Sequence, residues 1–292
     1  MDSVLAVGLG EILWDVLPDK RMLGGAPANF AYHINALGGE GVPVSCVGDD
    51  DLGREALSLL VMRGLNTDAI VVNGEHPTGI VDAHVDAQGV ATYVFPDNVA
   101  WDFLSLNEAA LALAAKTRAV CFGTLAQRSE ISRKAIRQFL DAASGALKVY
   151  DINLRQNFYT TEIISQSLDL ADVLKINDDE LALVTRMLSL PEGEREALET
   201  LMFQHSLKMG VLTRGEKGSL IVSPDGFSDL SGQPNEIMDT IGAGDSFTAA
   251  LVLAYLDGQS LDEMNRYATR VAAYVCGCPG AMPKMPESYR LR

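Results

Sequence analysis

The chain has 292 residues, 48% of them hydrophobic and 21% charged, which suits a large soluble α/β domain with a substantial core. Its formal net charge of −16 excludes an electrostatic grip on nucleic acid or on an anionic membrane, since both require a basic surface. A nucleotide remains compatible with that charge, because backbone amides, a magnesium ion and one or two basic side chains can hold phosphates inside an acidic protein.

Cys46, Cys121, Cys276 and Cys278 are scattered in apolar surroundings. Cys276-Gly277-Cys278 is too tightly spaced for a zinc knuckle, and His33, His76, His84 and His205 show no metal-ligand spacing. Reduced thiols in a cytoplasmic protein are the expectation. Met1-Asp2 passes straight into a strand-like run without a basic leader, and no apolar run approaches membrane-spanning length.

Val4 to Leu9 reads as a short buried strand followed by Gly10-Glu11. A dinucleotide fingerprint would need glycine where Leu13 stands, so a Rossmann site is a weak reading. A strand-like run then ends near Asp15. Gly24-Gly25 opens a helical pattern in which Phe30, Ile34 and Leu37 share a face, with Asn29 in its first turn. Val42 to Val47 predicts another strand, and Gly53 to Arg63 a helix. The stretch 68–96 differs. Its Thr78–Asp86 and Val90–Phe95 segments alternate apolar and polar residues around Ala87-Gln88-Gly89, the signature of a β-hairpin with a half-exposed face.

The α/β rhythm then resumes. Helices are predicted at 107–115, 129–143, 162–170, 178–188 and 192–208. Strands alternate with them at Ala119–Phe122, Lys148–Ile152, Val173–Ile176 and Val211–Thr213, and a further strand runs from Ser219 to Ser223. Helices beginning at the Gly242-Ala243-Gly244-Asp245 segment and at 261–276 complete the pattern. Parallel strands joined by helices place ligands at the carboxyl ends of the strands.

The chemistry concentrates at those ends. Asp239 to Phe247 reads DTIGAGDSF, where small residues let several backbone amides converge on a helix N-terminus and form an anion hole. Asp245 then stands where a phosphate would come, as a helix-stabilising carboxylate or as the base that takes a proton from an attacking hydroxyl. Asp151-Ile152-Asn153-Leu154-Arg155 offers a neutral amide and a guanidinium fork, or simply a capped turn. Asn177-Asp178-Asp179-Glu180 reads as a helix cap, or as an acidic cluster that could hold magnesium through water. Thr213-Arg214-Gly215-Glu216-Lys217-Gly218 is glycine-rich but fails the P-loop pattern, leaving a turn or a nucleotide wall. Asp15, Gly25 and Asn29 suit adjacent sugar hydroxyls and would grip a phosphorylated sugar poorly.

In this order, GGAPANFA at 24–31, NDDE at 177–180, TRGEKGS at 213–219 and DTIGAGDSF at 239–247 resemble the signatures of the ribokinase-like, or PfkB, carbohydrate kinases. GEILWD with its Asp15, and DINLR at 151–155, look most like the fructokinase branch. The resemblance implies a three-layer α/β/α sandwich with a mostly parallel central sheet. It also implies one domain over 1–292 carrying a small β lid built from about 11–23 and 78–96. By the same resemblance, Asp245 would be the base and the amides of Gly242, Ala243 and Gly244 the anion hole. Asp15, Gly25 and Asn29 would hold the sugar, with Asn153 and Arg155 beside the substrate and Phe95 reaching it from the lid. Asn177, Thr213, Gly215 and Gly218 would serve ATP, and Glu180 its magnesium through water. A monovalent cation such as potassium would sit against the backbone of Asp239 and Ile241 and the loop from Cys278 to Ala281.

The expected activity is ATP-dependent phosphorylation of a hydroxymethyl group of a neutral sugar, with fructose as the leading substrate. Ribose, a nucleoside or 2-keto-3-deoxygluconate on the same machinery is the first alternative. A catalytically idle sugar- or nucleotide-binding regulator is the second, and the intact Asp245 argues against it. The apolar stripe of the hairpin, with Tyr93 and Phe95, further predicts a homodimer joined through the lids.

Overall fold

The computed structural model describes residues 3–16, 21–85, 91–232 and 237–291. The first half comprises β1 (Leu5–Leu9), β2 (Leu13–Val16), β3 (Arg21–Gly24), α1 (Ala26–Ala36), β4 (Glu40–Gly48), α2 (Asp51–Met62), β5 (Ile70–Asn73), β6 (Gly79–Val85) and β7 (Ala91–Val94). Then come α3 (Glu108–Ala114), β8 (Ala119–Phe122), α4 (Glu130–Ala142), β9 (Leu147–Asp151), α5 (Thr161–Leu170) and β10 (Val173–Asn177). The remainder is α6 (Asp178–Leu188), α7 (Glu194–His205), β11 (Met209–Thr213), β12 (Gly218–Ser223), β13 (Gly226–Ser231), α8 (Ala243–Leu256) and α9 (Leu261–Cys276).

A nine-stranded sheet runs in the order β13-β12-β11-β10-β9-β8-β1-β4-β5. Its strands from β11 to β5 are all parallel, while β12 and β13 form an antiparallel edge. Successive side chains of one strand feed opposite layers. Ala119 and Cys121 pack with Phe30, Ile34, Phe247 and Val271 of α1, α8 and α9, whereas Val120 and Phe122 join Ile136, Phe139 and Leu168 of α4 and α5. Burial on both faces explains why these strands read as nearly unbroken apolar runs. The result is the three-layer α/β/α sandwich that the sequence predicts.

A second sheet of four strands, ordered β3-β2-β6-β7, stands apart. Two antiparallel pairs, β2 with β3 and β6 with β7, meet through a parallel pairing of β2 with β6. Both ends of the β6–β7 excursion are fastened to the body. Asp50 accepts from the amide and the hydroxyl of Thr78, each at 2.7 Å, and Arg128 donates to the Pro96 carbonyl while pairing with Asp102 at 2.8 Å. The predicted turn at 87–89 lies outside the described residues.

Two strands differ from the sequence reading. β5 lies within the stretch taken as hairpin-like, yet it pairs in parallel with β4 at the edge of the large sheet. β13 is absent from the sequence reading because its sequence, GFSDLS, is polar and exposed on one side and has little apolar content to announce it.

Candidate active site

A cleft of about 1310 Å³ opens along the carboxyl ends of the parallel strands. Glu11 after β1, Gly123 and Thr124 after β8, Asp151 closing β9 with Asn153 and Arg155 beyond it, Asn177 at the end of β10 and Thr213 at the end of β11 all line it. Asp15, Val81 and Phe95 of the small sheet and its exit face the same space.

The floor of the cleft is the start of α8. Gly242 sits at its N-cap in a left-handed conformation, with φ at 77°. A side chain there would also strike Ala281, whose carbonyl oxygen and Cα lie 2.7 and 2.8 Å from the Cβ position. Only glycine meets both demands. The first helical bond runs from Ser246 N to the Gly242 carbonyl at 2.9 Å, so the amides of Gly244 and Asp245 precede it. Ala243 N already makes a long bond of 3.3 Å to the Thr240 carbonyl. Ala243 N is therefore partly engaged, while Gly242 N, Gly244 N and Asp245 N make no such backbone bond among the described residues.

Asp245 is half-buried at this floor. Asn29, from the first turns of α1, donates from Nδ2 to Asp245 Oδ2 at 2.8 Å. Burial pushes the Asp245 carboxyl up to about 6, and the charge of Asp151 adds to that. The Asn29 hydrogen bond, Lys175 and Arg155 hold it back. The group is thus an ionised carboxylate at neutral pH that is more basic than an ordinary aspartate, as a proton acceptor requires. Asn29 is buried, and its Oδ1 has no protein partner among the described residues. It is a buried acceptor that the protein leaves unpaired.

Gly25 begins α1 with φ at 110°, and a side chain there would overlap the Glu11 carbonyl. This close approach brings Asn29 beside β1. Asp15 on β2 contributes a second carboxylate, pushed up to about 6 by burial and partly restored by Arg155. Glu11, which the sequence reading did not select, is a third. It is buried, with its carboxyl raised to about 7 by desolvation against bonds from its own amide and that of Ala26.

Under the floor lies a pair that the sequence reading also missed. Lys175 Nζ donates to Asp151 Oδ1 at 2.9 Å, and both side chains are buried. Thr248 of α8 donates to the other oxygen, Asp151 Oδ2, at 2.8 Å. Burial alone would lower the Lys175 pKa, yet Asp151 and Glu180 together hold it above its ordinary value. A Cβ on Gly244 would come within 2.9 Å of Lys175 Nζ, so the ammonium sits directly behind the anion-binding turn. The available signal was the lone charge in the otherwise apolar strand VLKIN.

On the far side of the cleft, Thr213, Gly215, Gly218, Ile237 and Ala273 form a wall beside Asn177, Asp178 and Asp179. Gly218 is also packed against Leu230 of β13. Glu180 does not line this space. Its Oε1 accepts from Leu154 N at 2.9 Å and its Oε2 from Asn177 N at 3.0 Å, closing a capping box on α6. That use as a cap accounts for its acidic character, and Asp178 and Asp179 are the carboxylates that face the cleft. Asp239 ties two turns together by accepting from Ile241 N at 2.9 Å and Gly280 N at 3.1 Å. Phe95 packs edge-on against Phe158, with centroids 5.7 Å apart.

Residues 19–288 match the family described as pfkB family carbohydrate kinase. The chain belongs to the pfkB family of carbohydrate kinases. Among curated relatives, fructokinase-2 of Zea mays is 30% identical over 310 residues, covering 97% of this chain and 91% of that protein. The solved structure of an uncharacterized sugar kinase from Pyrococcus horikoshii in complex with ATP superposes with a TM-score of 0.79 at 25% identity, covering 96% of this chain and 94% of that one. A fructokinase double mutant from Vibrio cholerae O395, solved with fructose, ADP and potassium ion, shares the fold with a TM-score of 0.81 at 22% identity. It covers 97% and 95% of the two chains. In this pfkB chain, the family's two glycine-rich stretches therefore meet at one point, where Asn29 touches Asp245.

Proposed function

We propose that this chain transfers the γ-phosphoryl group of ATP to a hydroxymethyl group of a neutral sugar, with fructose as the preferred acceptor. The observation that carries the reading is the Asn29–Asp245 hydrogen bond at the mouth of α8, which holds Asp245 in place and leaves its second carboxylate oxygen for the acceptor hydroxyl. Asp245 takes the proton of the attacking hydroxyl late, because phosphoryl transfer depends mainly on positioning and charge stabilisation. The amides of Gly244 and Asp245, with the positive end of α8, face the charge that develops on the transferring group. Arg155 supplies a guanidinium on the substrate side.

The three carboxylates Glu11, Asp15 and Asp245 make the sugar end rich in acceptors and hostile to an anionic sugar. Fructokinase relatives, and the fructose bound to the Vibrio cholerae protein, support the choice of sugar. The wall from Asn177 to Thr213, Gly215 and Gly218 takes the nucleotide. Magnesium, when bound, neutralises phosphate oxygens, and Asp178 and Asp179 suit its water shell. The Asp239 carboxylate ties the Ile241 and Gly280 amides together, so the two turns whose backbone would hold a potassium ion lie side by side. The four-stranded sheet serves as a lid over the sugar, and its apolar alternation supports a homodimer joined through two such lids.

The test is an ADP-release assay with ATP, magnesium and a panel of sugars. Turnover with fructose well above that with ribose, a nucleoside or 2-keto-3-deoxygluconate is expected. Preference for one of those three would replace the sugar, and no turnover with any would replace the activity.

A further inference from the structure

We infer that His33 is a positioning residue for phosphoryl transfer, fixing the Ala281 carbonyl behind Gly242 so that the turn opening α8 keeps its shape. The inference rests on the kinase reading above. His33 is fully buried, and its Nε2 lies 2.9 Å from the Ala281 carbonyl oxygen. A carbonyl only accepts, so Nε2 carries the proton and the ring is the Nε2–H tautomer. Nδ1 is then a bare acceptor, and it has no partner among the described residues. Burial lowers the pKa of the ring to about 4, which keeps it neutral under ordinary conditions.

The geometry links this bond to the site. Ala281 is the wall against which Gly242 packs, with its carbonyl oxygen, Cα and Cβ at 2.7, 2.8 and 2.9 Å from the Cβ position of that glycine. Ala281 fills the space beside Gly242 that a side chain would take, so a shift of Ala281 alters the packing behind the turn that opens α8. Asp239 fastens the same two segments from the other side through Ile241 N and Gly280 N. On α1, His33 lies one helical turn beyond Asn29, so the two share a face. One helix thus grips the phosphoryl-transfer turn twice, at Asp245 through Asn29 and behind Gly242 through His33. A hydrophobic side chain would fill the space as well, and without the cost of leaving Nδ1 buried and unpaired. Packing alone therefore does not account for histidine at this position.

The test compares His33→Gln, whose amide nitrogen reaches about as far as Nε2, with His33→Asn, whose amide is too short to reach Ala281. We expect His33→Asn to lower kcat by about 10-fold or more, with KM for the sugar within about 3-fold of the unsubstituted enzyme, and His33→Gln to restore most of the rate. Backbone amide resonances of Gly242, Gly244 and Asp245 are recorded for the same proteins without substrate. They should move in His33→Asn and stay near their original positions in His33→Gln. Equal rates and unmoved resonances in both variants would overturn the inference, as would equal loss in both with a raised sugar KM. If the unsubstituted protein turns over no sugar, the kinase reading fails, and the amide resonances still decide whether His33 sets the turn.

Discussion

Asn29 and Asp245 are 216 positions apart in the chain and 2.8 Å apart in the fold, joined by a hydrogen bond from Nδ2 to Oδ2. One comes from the start of the helix after the first glycine pair, the other from the start of the helix after the second glycine-rich turn. Each residue limits the other: the amide lowers the basicity of the carboxylate, and the carboxylate takes the Asn29 Nδ2–H, leaving Oδ1 unpaired.

This bond has a consequence for pH. Asp245 must be ionised to accept a proton, and its carboxyl titrates at about 6 because burial dominates. The rate should therefore fall as pH drops below about 6. Asn29→Ala removes a contribution that lowers this value, so the acid limb of kcat should move to higher pH, in the direction of neutrality. A pH–rate profile of the variant checks the sign. An acid limb that stays in place or moves down would break the link between the two residues.

Glu11 gives a prediction about stability. Its carboxyl is raised from 4.5 to about 7, so between these values the native state binds more protons than the unfolded state. The resulting contribution to stability is fully present below about 4.5 and is lost progressively as pH rises to about 7. Glu11→Gln, which keeps an oxygen for the Ala26 amide and abolishes the charge, should stabilise the ligand-free protein at pH 8 by about 1–3 kcal/mol. Thermal melts at pH 6 and pH 8 read this directly, with the gain larger at pH 8.

The buried pair under the floor predicts non-additivity. Lys175→Met leaves Asp151 buried without its cation and should destabilise the fold by about 3–5 kcal/mol. Adding Asp151→Asn removes the stranded charge, and Asn retains an oxygen for Thr248. The double variant should recover much of the loss in a denaturant titration. A double variant as unstable as the sum of the two single ones would show that the pair is not coupled.

Much of this was legible in the sequence because the signals are local. The apolar strands at Val173 and Ala119 and the helix beginning after Gly242 follow from periodicity and glycine placement. Asn29 and Asp245 stand out because each follows a glycine-rich turn. Glu11 and Lys175 were illegible for the opposite reason: each owes its role to neighbours far away in the chain. Lys175 matters through Asp151, which closes the adjacent parallel strand, and Glu11 through the Ala26 amide beyond a whole hairpin. Glu180 shows the converse case, where a local acidic pattern read equally as a helix cap or a magnesium cluster, and the fold places its carboxylate in the cap of α6, also holding Leu154. β5 was missed because four residues with one exposed valine resemble either sheet equally well.

The central claim is that Asp245 accepts the proton of the sugar hydroxyl, and Asp245→Asn tests it most directly. The substitution keeps the shape and an oxygen for Asn29, so ATP and sugar binding, measured by calorimetry, should remain near those of the unsubstituted protein. Single-turnover and steady-state kcat should fall by about two to four orders of magnitude. Near-normal turnover in Asp245→Asn, with binding intact, would contradict the account and leave Asp245 as a residue that only stabilises the first turn of α8.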